Sequence, residues 1–370
     1  MSATAASLPF EEIPCVQVPG AVGEVDAGGY LAANRDVARS GMAAEAHFLQ
    51  YGHREGRLQW INRDAVRALR DRKLARVRFR GGPPQRAPGE AADCIPPGQR
   101  EAFAIPDTPP ISSNPYGGHV LELIRANPDK RFLDVGAGLR KHYFSNVVNT
   151  EIHPWVSTDV VCLGEELPFE DEQFDYVFSF AVLEHTMRPW DVAREMCRVL
   201  RPGGRVWVDY PFLQPVHGYP HHYFNATPRG NASLFEPWCD IETLEIFDNN
   251  HPIQSLTWML RLWRAGLPDA AAADFDALTV ADLLAASADA QMARPYCRAL
   301  DRAASAAIAA GSGLIGVRRP GAIPDTATPV EAAAWRAESG ALREAISVIR
   351  ASTSWRVTAP LRALARLLGH

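Results

Sequence analysis

Apolar residues change their spacing along the chain, and each change marks an element. Between residues 131 and 212, short β-branched and aromatic runs read as strands: RFLDVG (131–136), VVNTEI (147–152), VSTDVVC (156–162), FDYVFSF (174–180) and RVWVDYPF (205–212). Two stretches with helical spacing interleave with them. One is HVLELIRAN (119–127). The other is PWDVAREMCRVL (189–200), which has Pro189 in its first turn and sets Val192, Met196, Val199 and Leu200 on one face. The Pro-Gly-Gly at 202–204 then stops it. IETLEIF (241–247) and SGLIGVRR (312–319) predict two further strands. Strands alternating with helices predict an α/β fold, with a mostly parallel sheet covered on both faces.

The flanks read differently. Residues 22–62 hold two short helical patches, with Tyr30, Leu31, Val37, Ala38, Phe48, Leu49 and Tyr51 as their apolar positions and Gly41 and Gly52 between them. They predict a small helical module. Residues 63–110 begin with a basic helix, expected to be a solvated face, and continue as a Pro/Gly-rich linker. The α/β domain is expected over 111–320. After a Pro-rich break, residues 330–370 predict a helical tail. Its last part sets Val357, Leu361, Leu364, Leu367 and Leu368 on one stripe and Arg356, Arg362 and Arg366 off it. Such a basic amphipathic helix either packs on protein or lies on an anionic membrane surface.

Composition narrows the class. The 370 residues are 47% hydrophobic and 22% charged, enough apolar material for a sizeable core. A net charge of −5 gives no general attraction for nucleic acid. Six cysteines at 15, 94, 162, 197, 239 and 297 form no CxxC pair, which fits a reducing, cytoplasmic setting. The first residues show neither a basic nor an apolar leader segment, and no run of 18 apolar residues occurs.

The candidate chemistry starts at the end of the first run. In FLDVGAG, Asp134 ends a strand, and Gly136 and Gly138 let the backbone turn and a ligand approach closely. Lys141 stands where a third glycine of a pyrophosphate loop would be, so the loop suits a nucleoside-like ligand without pyrophosphate. Glu151, at the next strand end, offers a carboxylate for the two hydroxyls of a ribose.

With GEELPFEDEQFDYVFSFAVLEHTMRPWDVAREMCRVLRPGGRVWV (164–208) added, residues 131–212 resemble the small-molecule subgroup of class I S-adenosylmethionine-dependent methyltransferases. The resemblance implies a Rossmann-like, seven-stranded sheet and S-adenosylmethionine as cofactor. Asp134, Gly136 and Gly138 would line its methionine end, Glu151 would hold its ribose, and the loop with Leu163, Gly164 and Glu165 would face its adenine. Leu163 departs from the acidic residue common there. SFAVLEH (179–185) would close the pocket, with His185 on the acceptor side. The pattern PFLQPVHGYPHHYFNATPRG further resembles methyltransferases of bacterial surface-glycan synthesis, and the YLAANRDV…HFLQYGHREGR segment resembles a short module found in bacterial surface-glycan proteins. The implied reaction is O-methylation of a sugar or glycan precursor. A lipid or quinone acceptor, or a non-catalytic partner role in a glycan-assembly complex, is the alternative. The implied partners are a small-molecule or glycan acceptor and, through the tail, a membrane surface or a glycosyltransferase.

HGYPHHYF (217–224) follows the fifth run, where ligands of open α/β sheets are handled. His217, His221 and His222 are candidate bases for an acceptor hydroxyl, with Tyr223 on the acceptor side and Asp209 behind. Aromatic packing as a lid is the competing reading. No metal is expected: Gly218 and Pro220 keep His217 and His221 off a common helix face, and the loop holds no carboxylate.

Overall fold

The computed structural model describes residues 8–105, 115–218, 221–246 and 250–308. Ten strands occur among them: β1 (Glu12–Pro14), β2 (Val16–Gln17), β3 (Gln59–Trp60), β4 (Ala92–Asp93), β5 (Phe132–Val135), β6 (His142–Phe144), β7 (Val147–Glu151), β8 (Val160–Val161), β9 (Phe174–Phe180) and β10 (Leu200–Asp209). Six make one sheet in the order β10-β9-β5-β7-β8-β4, and every pairing in it is parallel. All six therefore end on the same edge.

Pleating sorts the side chains to two cores. From β5, β7 and β9, Phe132, Val147 and Phe178 point to one face, where Val120 and Ile124 of the helix Gly118–Ala126 meet them. Their neighbours Leu133, Val148 and Val177 point to the other, against Val192, Ala193, Met196 and Val199 of the helix Pro189–Val199. All four are fully buried, and Val192, Met196 and Val199 lie on the face that helical spacing predicted, whereas Leu200, expected with them, begins β10. Burying a side chain such as Val192 or Met196 contributes roughly 1.5–3 kcal/mol.

The sheet departs from expectation at its edges. Six strands, not seven, form it among the described residues. Residues 241–246 pair with no strand, and Arg205 on β10 reaches Glu242 at 3.0 Å instead. The stretch at 312–319, the tail at 330–370 and its amphipathic stripe lie outside the described residues. The sixth strand is β4, inside the stretch taken as linker. Ala92–Asp93 pairs with Val160–Val161, and two residues between Gly/Pro segments carry no periodic signal.

The crossover between β5 and β7 holds no helix. Its residues His142–Phe144 form β6 and pair antiparallel with β1, where Glu12 stands opposite Phe144. A second pairing joins β2 to β3. The module between β2 and β3 has its own core of Tyr30, Val37, Ala44 and Phe48, while Leu49 and Tyr51 face outward. Asp26 caps its first helix by accepting from the Gly29 amide at 2.7 Å.

The basic helix Arg63–Leu74 keeps Arg67 and Arg72 on a solvated face but buries two of its cations on the other. Arg70 and Lys73 are 4% and 2% exposed. Lys73 Nζ lies 2.6 Å from Asp159 Oδ2 and 3.7 Å from the centre of the Tyr143 ring. Arg70 donates to the Gly89 and Val156 carbonyls, and Tyr143 donates to Asp159. Burial pushes the Lys73 ammonium down to about 8, against the pull of Asp159. No helix among the described residues is long and apolar enough to cross a membrane.

Candidate active site

Parallel strands bring five segments to one edge: the glycine loop after β5, Glu151 at the end of β7, Leu163–Glu165 after β8, Ala181–His185 after β9, and the histidine loop after β10. They divide into a group on the β5–β7–β8 side and a cluster on the β9–β10 side.

On the first side, the Gly138 amide donates to Glu151 Oε2 at 2.8 Å, and the Ile152 amide donates to Glu151 Oε1 at 2.7 Å. Each carboxylate oxygen keeps a further acceptor position, which is what two ribose hydroxyls need. Burial holds the Glu151 carboxyl above the ordinary range, the two amides pull it down, and neighbouring Asp134 pushes it up. Gly136 takes φ +73°, and a β-carbon there would come within 2.5 Å of Val182 Cγ1. Gly136→Ala is expected to cost about 1–3 kcal/mol in urea unfolding. Val182→Ala in the same chain should recover part of that loss, and no recovery would place the cost wholly in the backbone.

Asp134 takes a different part from the one expected. It is fully buried, and its Oδ2 accepts from Tyr116 at 2.5 Å and from Arg140 Nε at 2.9 Å. Arg140 is itself buried and lies 3.9 Å from the centre of the Tyr116 ring. The pair clasps both ends of the glycine loop, so Asp134 shapes the pocket, and its Oδ1 alone is left without a partner. Nothing in the one-dimensional spacing pointed to Arg140 or Tyr116. Leu163 is buried, and Gly164 packs beneath Val192. Glu165 is 5% exposed and accepts from the Met187 amide at 3.1 Å, which ties the third loop to the fourth. Burial pushes its carboxyl up and backbone amides pull it down.

Residues 133–208 match the family model described as a methyltransferase domain. An uncharacterized methyltransferase of Mycobacterium avium is 43% identical over 63 residues, 17% of this chain and 25% of that protein. A 24-methylenesterol C-methyltransferase of rice is 32% identical over 117 residues, 25% of this chain and 32% of that protein. The chain thus spans about a quarter of the length of the curated relatives it first matches. Among solved structures, a phosphoethanolamine N-methyltransferase of Haemonchus contortus with S-adenosylhomocysteine bound is 19% identical, with a TM-score of 0.29 over 52% of this chain and 49% of that one.

On the second side, imidazoles gather around a carboxyl group. His185 Nδ1 donates to the His221 carbonyl at 2.8 Å, and His217 Nδ1 donates to the Pro215 carbonyl at 2.8 Å. Both Nε2 atoms therefore carry lone pairs. They lie 3.7 and 3.9 Å from Glu184 Oε1. Glu184 is fully buried, and neither of its carboxyl oxygens has a hydrogen-bond partner. Burial pushes this carboxyl up to about 8. It also pushes His185 down to about 4, and lowers His217.

The three loop histidines part company here. His222 accepts from the His217 amide at Nδ1 and meets Asn225 Oδ1 at Nε2, at 3.1 and 2.8 Å. With both nitrogens engaged it supports the loop. His221 is exposed; its carbonyl orients His185, and its ring lies 5.5 Å from that of Tyr223. Tyr223 contributes its backbone amide, which donates to the Glu184 carbonyl at 2.7 Å. Gly218, at φ +76°, leaves room for His185, whose Cε1 would sit 2.1 Å from a β-carbon. The sequence reading missed Glu184, because its burial and isolation are not written in VLEH.

Proposed function

We propose that the chain is an S-adenosylmethionine-dependent methyltransferase acting on a hydroxyl of a sugar or glycan precursor in bacterial surface polysaccharide synthesis. The observation that carries the cofactor reading is the Glu151 carboxylate fixed by the Gly138 amide, at the strand ends of a matched methyltransferase domain. When bound, S-adenosylmethionine supplies an electrophilic methyl group. The chain's own part is to hold the ribose through Glu151, shape the glycine loop through Asp134 and Arg140, and place the acceptor against the β9–β10 side. Displacement at a methyl group gains chiefly from such positioning. A neutral imidazole facing a hydroxyl adds a proton acceptor, and His185 and His217 offer Nε2 for it.

The acceptor class rests on PFLQPVHGYPHHYFNATPRG and on the YLAANRDV segment, both like those of glycan-assembly proteins. A lipid or quinone acceptor is the second reading within the same chemistry. Incubation with S-adenosylmethionine and separate pools of sugar nucleotides, lipids and quinols, read by mass spectrometry, distinguishes them. A methylated sugar product is expected, and a methylated lipid or quinol with unreacted sugars would overturn the acceptor. His217→Ala should lower turnover on that acceptor by about 100-fold or more with S-adenosylmethionine affinity unchanged. Full turnover would remove His217 from the acceptor side.

A further inference from the structure

We propose that Glu184, His185 and His217 form a binding site for one divalent transition-metal ion beside the acceptor. Four observations converge. A ligand atom from each residue lies within 4.8 Å of the other two. Glu184 is fully buried, with both side-chain oxygens unpartnered, although an unsatisfied buried carboxyl costs free energy that folds avoid. The amides of Tyr223 and Phe224 bond the Glu184 backbone carbonyl and leave its carboxyl alone. Each imidazole gives its Nδ1 proton to a main-chain carbonyl, the arrangement that fixes the tautomer and ring direction of metal-binding histidines.

The distances fit. An ion about 2.1 Å from each donor in a tetrahedral arrangement sets the donors about 3.4 Å apart. The gaps of 3.7 and 3.9 Å to Glu184 Oε1 need a contraction of a few tenths of an ångström. Two imidazoles and one carboxylate select zinc, manganese, iron or cobalt over magnesium, which prefers oxygen donors. Three protein donors leave at least one open position. On the methyl-transfer reading, on which this step alone rests, that position takes the acceptor oxygen; with the ion bound, the imidazole lone pairs are ligands in place of the proton acceptor, and the acidified acceptor hydroxyl gives its proton to solvent.

HGYPHHYF holds no carboxylate of its own and sets no two histidines on one helix. The carboxylate comes instead from the segment after β9, and His185 comes with it. His222 keeps a supporting place, since its Nδ1 holds the His217 amide.

The test uses the untagged full chain, stripped with a chelator and titrated with Co²⁺ alone. One equivalent per chain is expected, with visible ligand-field absorption of an ion bound to imidazole nitrogen. Glu184→Gln and His217→Ala should each weaken Co²⁺ binding by about 10- to 100-fold or more, with far-ultraviolet circular dichroism unchanged. Absence of stoichiometric binding by the parent chain overturns the site, and so does parental affinity in both variants. S-adenosylmethionine titrated into the same stripped sample separates the two proposals. Cofactor binding without Co²⁺ binding sinks the metal site, whereas Co²⁺ binding without cofactor binding sinks the methyl-transfer reading and leaves the site standing.

Discussion

Glu151→Ala is expected to weaken S-adenosylmethionine binding by about 100-fold or more, because two hydrogen bonds to a charged group contribute about 1.5–3 kcal/mol each. Calorimetry on the parent and the variant measures it. The same carboxylate sets a pH dependence. Burial holds the Glu151 carboxyl above the ordinary value of 4.5. Only the ionised form accepts from both hydroxyls, so affinity is full above that raised value and falls as pH drops through it. The decline should therefore begin at a higher pH than for an exposed glutamate. A variant that binds like the parent would detach Glu151 from the cofactor.

Asp159→Ala should lower stability by about 3–5 kcal/mol, since it leaves the Lys73 ammonium buried without its partner. Asp159 also accepts from the Asn149 amide at 2.8 Å and from Tyr143, so the loss reaches β6 and β7 together. A fall in melting temperature of roughly 5–15 °C is the expected readout. The double change Asp159→Leu with Lys73→Met should cost less than Asp159→Ala, because it removes both charges and not their pairing alone. A single-variant cost under about 1 kcal/mol would mean that the pair behaves like an exposed one.

These two sites show what the linear pattern carries and what it does not. The runs that became β5, β7 and β9 and the helix Pro189–Val199 were legible, because two-sided burial and helical amphipathicity leave local signatures. Gly136, Gly138 and Glu151 were legible too, since a strand-end turn and a following strand-end acid have a fixed order. Features built from distant partners were hidden. Glu12–Pro14 meets His142–Phe144 across more than a hundred residues, and no local period announces it. Arg70 and Lys73 sit on a helix that reads as basic and solvated, and their burial follows from Asp159, Tyr143 and two carbonyls. The partners of Asp134 were hidden too, because Arg140 and Tyr116 reach it from outside the motif. The histidine loop was found, yet its chemistry depends on Glu184, one residue within a familiar-looking VLEH.

The central claim is that the glycine loop and Glu151 hold S-adenosylmethionine. Titration calorimetry of the full chain with S-adenosylmethionine tests it most directly. The account predicts one site per chain with a dissociation constant of about 1–100 μM, or roughly 5–8 kcal/mol of binding free energy. No binding at millimolar cofactor, by a chain whose circular dichroism shows it folded, would contradict it.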